Sequence, residues 1–150
     1  MKISEHISYS EATKSQTASR LGISNDPNID QIDAMKLVAE MVFEPLRKAT
    51  GKPIVISSFF RCEKLNKKIG GAPGSQHTKG EAMDLDLDGF NKELFSHIKS
   101  HLNFDQLIWE FGNVNEPDWV HVSYSKNGNR KEVLRAIKAN GKTQYIKFDL

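Results

Sequence analysis

Hydrophobic positions recur with two different periods along this chain, and the change from one to the other divides it. From about Asp30 to Thr50 the apolar residues Ile32, Met35, Leu37, Val38, Met41, Val42 and Leu46 follow helical spacing, and Gly51 supplies a stop. Pro45 lies inside that run, which predicts a kink or an early end. A shorter helix is expected over residues 8–21, opened by Ser8 or Ser10, with a turn-rich loop after it at 22–29 (GISNDPNI). Residues 53–60 (PIVISSFF) are β-branched and aromatic, as in a strand. Residues 61–69 suggest a short helix, and 70–80 (GGAPGSQHTKG) a glycine-rich loop with no regular element. Over 81–88 the period becomes two, with Ala82, Asp84, Asp86 and Asp88 alternating against Met83, Leu85 and Leu87. An amphipathic helix over 91–102 precedes two more strands, 105–111 (DQLIWEF) and 118–124 (DWVHVSY). The tail reads as a hairpin turning at Asn140-Gly141, although its first half also suits a helix. Helices first and mainly strands afterwards predict an α+β fold, a small antiparallel sheet flanked by helices, in one domain spanning residues 1–150.

Composition narrows the chemistry. The 150 residues are 38% hydrophobic and 27% charged, enough apolar material for one core without disulfide staples. A net charge of +2 makes no electrostatic case for nucleic acid, while leaving a polyanionic surface such as a bacterial wall compatible. Cys62 is the single cysteine, so a disulfide framework and a cysteine-rich zinc site are both excluded. The opening MKISEHISYSEATK has no signal-peptide pattern, and no window approaches the ~18 apolar residues of a membrane span. The expectation is a soluble, monomeric product of the cytoplasm, acting elsewhere only if released.

Any metal must then be held by histidine and carboxylate. Strand alternation puts Asp84, Asp86 and Asp88 on one face, where they repel unless solvated or neutralised by a cation. His77 precedes Asp84 by seven residues, across a loop ending at Gly80 that can turn back so that imidazole and carboxylate meet one ion. On the later strand Trp119 and His121 share a face, with Val120 and Val122 on the other. Two histidines and one carboxylate leave a fourth zinc position open for water, as catalytic zinc requires. Zinc lowers the pKa of such a water to about 7 and polarises a carbonyl. Taken singly, either histidine is commonly a surface residue. The acidic strand could equally be a solvated face or a calcium site, although it lacks the EF-hand pattern. Cys62 has no visible base beside it, and His6, His97 and His101 lack metal-ligand spacing to the site.

The segment Ser75-Gln76-His77-Thr78-Lys79-Gly80-Glu81-Ala82-Met83-Asp84 resembles the S-x-H-x-x-G-x-A-x-D signature of the zinc D-Ala-D-Ala carboxypeptidase family. That family also contains phage endolysins cutting the L-Ala-D-Glu bond and D-Ala-D-Ala dipeptidases. Trp119-Val120-His121 resembles its downstream W-x-H segment, and Ser57-Ser58-Phe59-Phe60-Arg61 its arginine after a strand. The similarity runs from about Ile54 to Tyr124 with order and spacing retained. The whole chain also resembles a compact, single-domain phage-type branch, from ISEH near the start to NGKT near the end.

The resemblance implies zinc on His77, Asp84 and His121. It implies a general base three residues before the last histidine, which is Asp118, ahead of Glu110 and then Glu116. Arg61 is expected on the substrate carbonyl or its oxyanion rather than as a surface charge. Ser75 either orients a ligand or substrate or forms the turn. Asp86 either hydrogen-bonds the ligating histidines or is solvated. Trp109 and Trp119 could line a substrate cleft, with core packing the first expectation for each. The implied function is a zinc peptidase cutting the stem peptide of peptidoglycan, as carboxypeptidase or endopeptidase, in the manner of a phage lysin. The alternative is a non-catalytic wall-binding or virion structural protein that keeps the fold.

Overall fold

The computed structural model describes residues 1–149. Two short strands, β1 (Lys2–Ser4) and β2 (Ile7–Ser8), pair at the start, an element the sequence pattern does not announce. The helix expected over 8–21 is two helices, α1 (Tyr9–Thr13) and α2 (Gln16–Leu21). Ser8 opens the first with a capping box completed by Glu11. Ser15 starts the second by accepting a hydrogen bond from Ala18 N, which takes its own backbone out of the helix and makes the break.

The long helix is found, with an internal adjustment. It runs as α3 (Ile29–Val38), a π-helical stretch (Ala39–Phe43) and α4 (Glu44–Thr50), closed by Gly51 in the left-handed conformation. Pro45 has no N–H to offer the carbonyl four residues back, and the wider π turn accommodates the missing bond without ending the helix. Next come β3 (Val55–Ser58), α5 (Glu63–Lys68), β4 (Ala82–Asp86), α6 (Asn91–His101), β5 (Gln106–Glu110) and β6 (Trp119–Ser123). The tail settles as a hairpin of β7 (Glu132–Ala139) and β8 (Lys142–Lys147), with positive φ at both Asn140 and Gly141 as a primed turn demands. The glycine-rich segment is not wholly irregular. Gln76–Lys79 form a 3-10 turn, because Ser75 caps it and Gly80 closes it at φ +76°.

The main sheet has six strands in the order β3-β4-β6-β5-β7-β8. All neighbours are antiparallel except β5 and β7, which run parallel, so the sheet is mixed rather than purely antiparallel. The fold class is α+β as expected. One face of the sheet buries Met83, Leu85, Leu107, Trp109, Val120 and Val122 against Val38, Val42 and Leu46 of the long helix and Leu94, Phe95 and Ile98 of α6. The opposite face carries the polar members of the same strands, and β8 forms an exposed edge.

Gly80 couples the loop carrying His77 to this core. A Cβ there would stand 2.5 Å from Gln31 O and 2.9 Å from Met35 Cγ, on a backbone already at positive φ. Gln31 also donates from Nε2 to Thr78 O at 3.1 Å, so α3 clamps the loop from beneath. Gly80→Ala is expected to destabilise the protein by about 3 kcal/mol, from left-handed strain plus a backbone clash. Urea denaturation checks this, and an unchanged midpoint would refute it.

Candidate active site

Strand pairing sets the first contact. β4 and β6 place Asp84 directly opposite His121, and Asp84 Oδ1 lies 3.1 Å from His121 Nδ1. The capped turn brings His77 to the same oxygen, with Nε2 3.3 Å from Asp84 Oδ1. His77 is 2% exposed. Its Nδ1 is 2.7 Å from Phe59 O. A carbonyl only accepts, so Nδ1 donates to Phe59 O, which leaves Nε2 as the ring atom facing Asp84, able to donate to the carboxylate when it carries a proton and to offer a lone pair to a metal when it does not. The two rings meet edge to face, with centroids 5.2 Å apart.

These atoms fit a tetrahedral ion. Two ligand atoms each bonded at zinc's usual length are about 3.3 Å apart across a tetrahedron's edge. The separations of 3.3 and 3.1 Å match that edge, and all three ligand atoms lie within 4.8 Å of one another. Burial alone would raise the Asp84 pKa; the charge of His77 and hydrogen bonds from both histidines outweigh it and hold the carboxyl well below the usual range. Asp84 is therefore an anion ready for a cation.

A cleft of about 1110 Å³ opens over this cluster. Arg61, Ser75, Glu110, Trp119 and Tyr145 line it together with the three candidate ligands. Glu110, only 7% exposed, occupies the end of β5 beside Trp119 of β6. Burial pushes its pKa up to about 7, and Asp84 adds to the rise, while His121, Trp119 and Arg61 pull the other way. Among the described residues Arg61 Nε is buried without a hydrogen-bond partner, a donor left unused by the protein's own groups.

The remaining sequence candidates separate from the cleft. Asp118 is exposed and does not line it. Its backbone N–H donates to Glu110 O and its carbonyl accepts from Asn91 Nδ2, and it is out of phase with Trp119 and His121. Glu116 accepts from Lys92 N at 2.7 Å and so serves the first turn of α6. Asp86 accepts from Asn91 Nδ2 at 2.8 Å rather than bonding either histidine. With Asp88 exposed beyond the strand, the three aspartates do not form the calcium group that alternation allowed. Ser75 caps the turn by accepting from His77 N at 3.2 Å, and it lines the cleft as well. Trp109 is a core residue, donating from Nε1 to Asn113 O. His97 and His101 stack on each other on α6, and His6 pairs with Glu44 at 2.6 Å.

Three contributors escape a reading of sequence. Phe59 acts through its carbonyl, which no side-chain motif advertises. Asp105 receives Arg130 through two side-chain bonds and Gln76 Nε2 at 3.1 Å, pinning the residue before His77 to the start of β5. Tyr145 reaches the cleft from β8, too far along the chain for local spacing to signal.

The family model described as peptidase M15 matches residues 5–123, from just after β1 to the end of β6 and across every candidate ligand. The chain belongs to the peptidase M15 family. It is accordingly a metallopeptidase of a zinc-dependent family, with His77, Asp84 and His121 as a group able to hold the metal. No curated relative matches the chain. The match stops short of the β7–β8 hairpin, so this M15 peptidase completes its cleft with residues outside the matched region.

Proposed function

We propose that the protein is a zinc peptidase that hydrolyses a bond of the peptidoglycan stem peptide, with zinc held by His77, Asp84 and His121. The observation that carries this reading is the ligand geometry on the floor of a peptide-sized cleft. Two imidazole nitrogens meet one carboxylate oxygen at tetrahedral-edge distances, with an ionisable carboxyl and a guanidinium beside them. When bound, zinc supplies Lewis acidity, activating water and polarising the scissile carbonyl.

The chain's own groups supply the rest. Glu110 is the general base, in place of Asp118, because it lines the cleft and Asp118 does not. A carboxyl with a pKa near 7 can take the proton of the attacking water and return it to the leaving amine. Arg61, half-buried with Nε unpartnered, donates to the carbonyl oxygen as it becomes an oxyanion. Phe59 O fixes the tautomer of His77. Ser75 and Trp119 border the space the peptide occupies.

Digestion of purified peptidoglycan with and without chelator, alongside zinc analysis, tests this reading, and the products identify the bond. Bound zinc with an undigested stem peptide would instead favour a non-catalytic wall-binding role. Asp118→Ala is expected to stay within about threefold of the parent rate, as for a surface change away from the reacting groups. A loss of about 10³-fold with zinc retained would return Asp118 to the role of base.

A further inference from the structure

The β7–β8 hairpin contributes one group to the cleft whose position packing does not explain. Along one row of the sheet, Trp119 pairs with Glu110, Glu110 with Ala136, and Ala136 with Tyr145. Directly paired residues share a face, and neighbouring strands are about 4.8 Å apart. Tyr145 therefore starts about 10 Å from Glu110, two strand spacings away, with only the methyl of Ala136 between them. Ala136 is fully buried, so the longer side chains around it cover its methyl. Tyr145 lines the cleft together with Arg61, Glu110 and His121.

Tyr145 is 57% exposed on an edge strand, so core packing gives it little reason to be aromatic. Its hydroxyl makes no hydrogen bond among the described residues. Burial raises its pKa, and the charges of Glu110 and Asp84 raise it further, which puts the phenol within the field of both carboxylates and keeps it protonated. Lys138, the nearby cation of β7, has its ammonium 5.6 Å from the centre of the Phe111 ring at the rim. A neutral donor thus faces the carboxylate side of the cleft with nothing yet to donate to.

We propose that Tyr145 is a further catalytic residue, whose hydroxyl donates a hydrogen bond to the oxyanion developing on the scissile carbonyl, complementing Arg61. This rests on the peptidase reading of the same site. The phenol keeps its proton throughout, and no bond to Tyr145 forms or breaks. A neutral donor stabilises the developing charge without adding a second cation beside the metal ligands.

Tyr145→Phe keeps the ring and removes only the donor. Its kcat on stem peptide is expected to fall about 10²-fold, with KM and zinc content unchanged and the same melting temperature. The second readout does not depend on turnover. Calorimetry with a phosphinate pseudopeptide, a tetrahedral anion, should show Tyr145→Phe binding about 10²-fold more weakly, while a product peptide binds equally to both proteins. Equal phosphinate affinity in the two proteins overturns the role of Tyr145, whatever the activity. Weakened phosphinate binding in a protein that leaves the stem peptide intact upholds Tyr145 and overturns the substrate instead. Absence of phosphinate binding by the zinc-loaded parent overturns both.

Discussion

Glu110→Gln should lower kcat by about 10³-fold while zinc stays bound at one equivalent, because the substitution removes a proton carrier and no ligand. The same variant should be more stable than its parent in alkaline solution once metal is stripped by chelator. Glu110 has its pKa raised by burial to about 7 in the folded protein. In the unfolded chain it ionises near the ordinary glutamate value. Below the unfolded value the carboxyl is neutral in both states and costs nothing. As pH rises through the folded value, the buried carboxylate must ionise in place, and stability is lost across that window. The cost at pH 8 is roughly 3 kcal/mol, from a folded value of about 7 against the ordinary glutamate value. Gln cannot ionise, so the metal-free variant should gain about that much over the parent at pH 8 and little at pH 4. Urea titrations at the two pH values read the difference. A variant that is fully active, or equally destabilised at both pH values, would remove Glu110 from the mechanism.

His121→Ala is the second large effect, and it should differ in kind. Removing one of three ligands should abolish stoichiometric zinc and bring activity to background together. A bound metal stabilises only the state that binds it, by about 2.7 kcal/mol when free zinc stands at a hundredfold its Kd. Chelator should therefore lower the melting temperature of the parent and leave that of His121→Ala unmoved. Zinc retained at one equivalent by His121→Ala would mean that the ion sits elsewhere. Glu110→Gln loses chemistry and keeps metal; His121→Ala loses both.

The clustering of His77, Asp84 and His121 was legible in the sequence because the strand period and the signature segment act on the same residues. Asp84 and His121 are each on the cleft-facing phase of a strand, and pairing brings them opposite one another. His77 follows from the short turn that Ser75 and Gly80 delimit. The base we propose was harder to read. Asp118 has the family's spacing from the last histidine, yet it lies just before β6 and outside the cleft. Glu110 has no spacing to recommend it, since it reaches the site through the neighbouring strand. What marked it was chemical: a carboxylate at the end of an apolar strand needs a reason to be there. The parallel pairing of β5 with β7 was invisible for the opposite reason. The tail's own pattern specifies a hairpin but not the strand against which that hairpin docks, and only long-range burial decides it. The broken first helix and the π turn at Ala39–Phe43 are local outcomes of Ser15 and Pro45, within reach of capping and proline rules but not of hydrophobic period.

The exposed edge strand β8 bears on how copies of this protein behave in crowded solution. Among the described residues no strand lies beyond its outer backbone groups, an arrangement that invites a second chain to pair and extend the sheet. Lys142 and Lys147 stand at its two ends, and both are exposed. Antiparallel docking of two such edges would bring the lysines of one copy against those of the other, and like charges facing across a ladder oppose pairing. Replacing both lysines with threonine would therefore leave the cleft in place while lowering the concentration at which the protein aggregates.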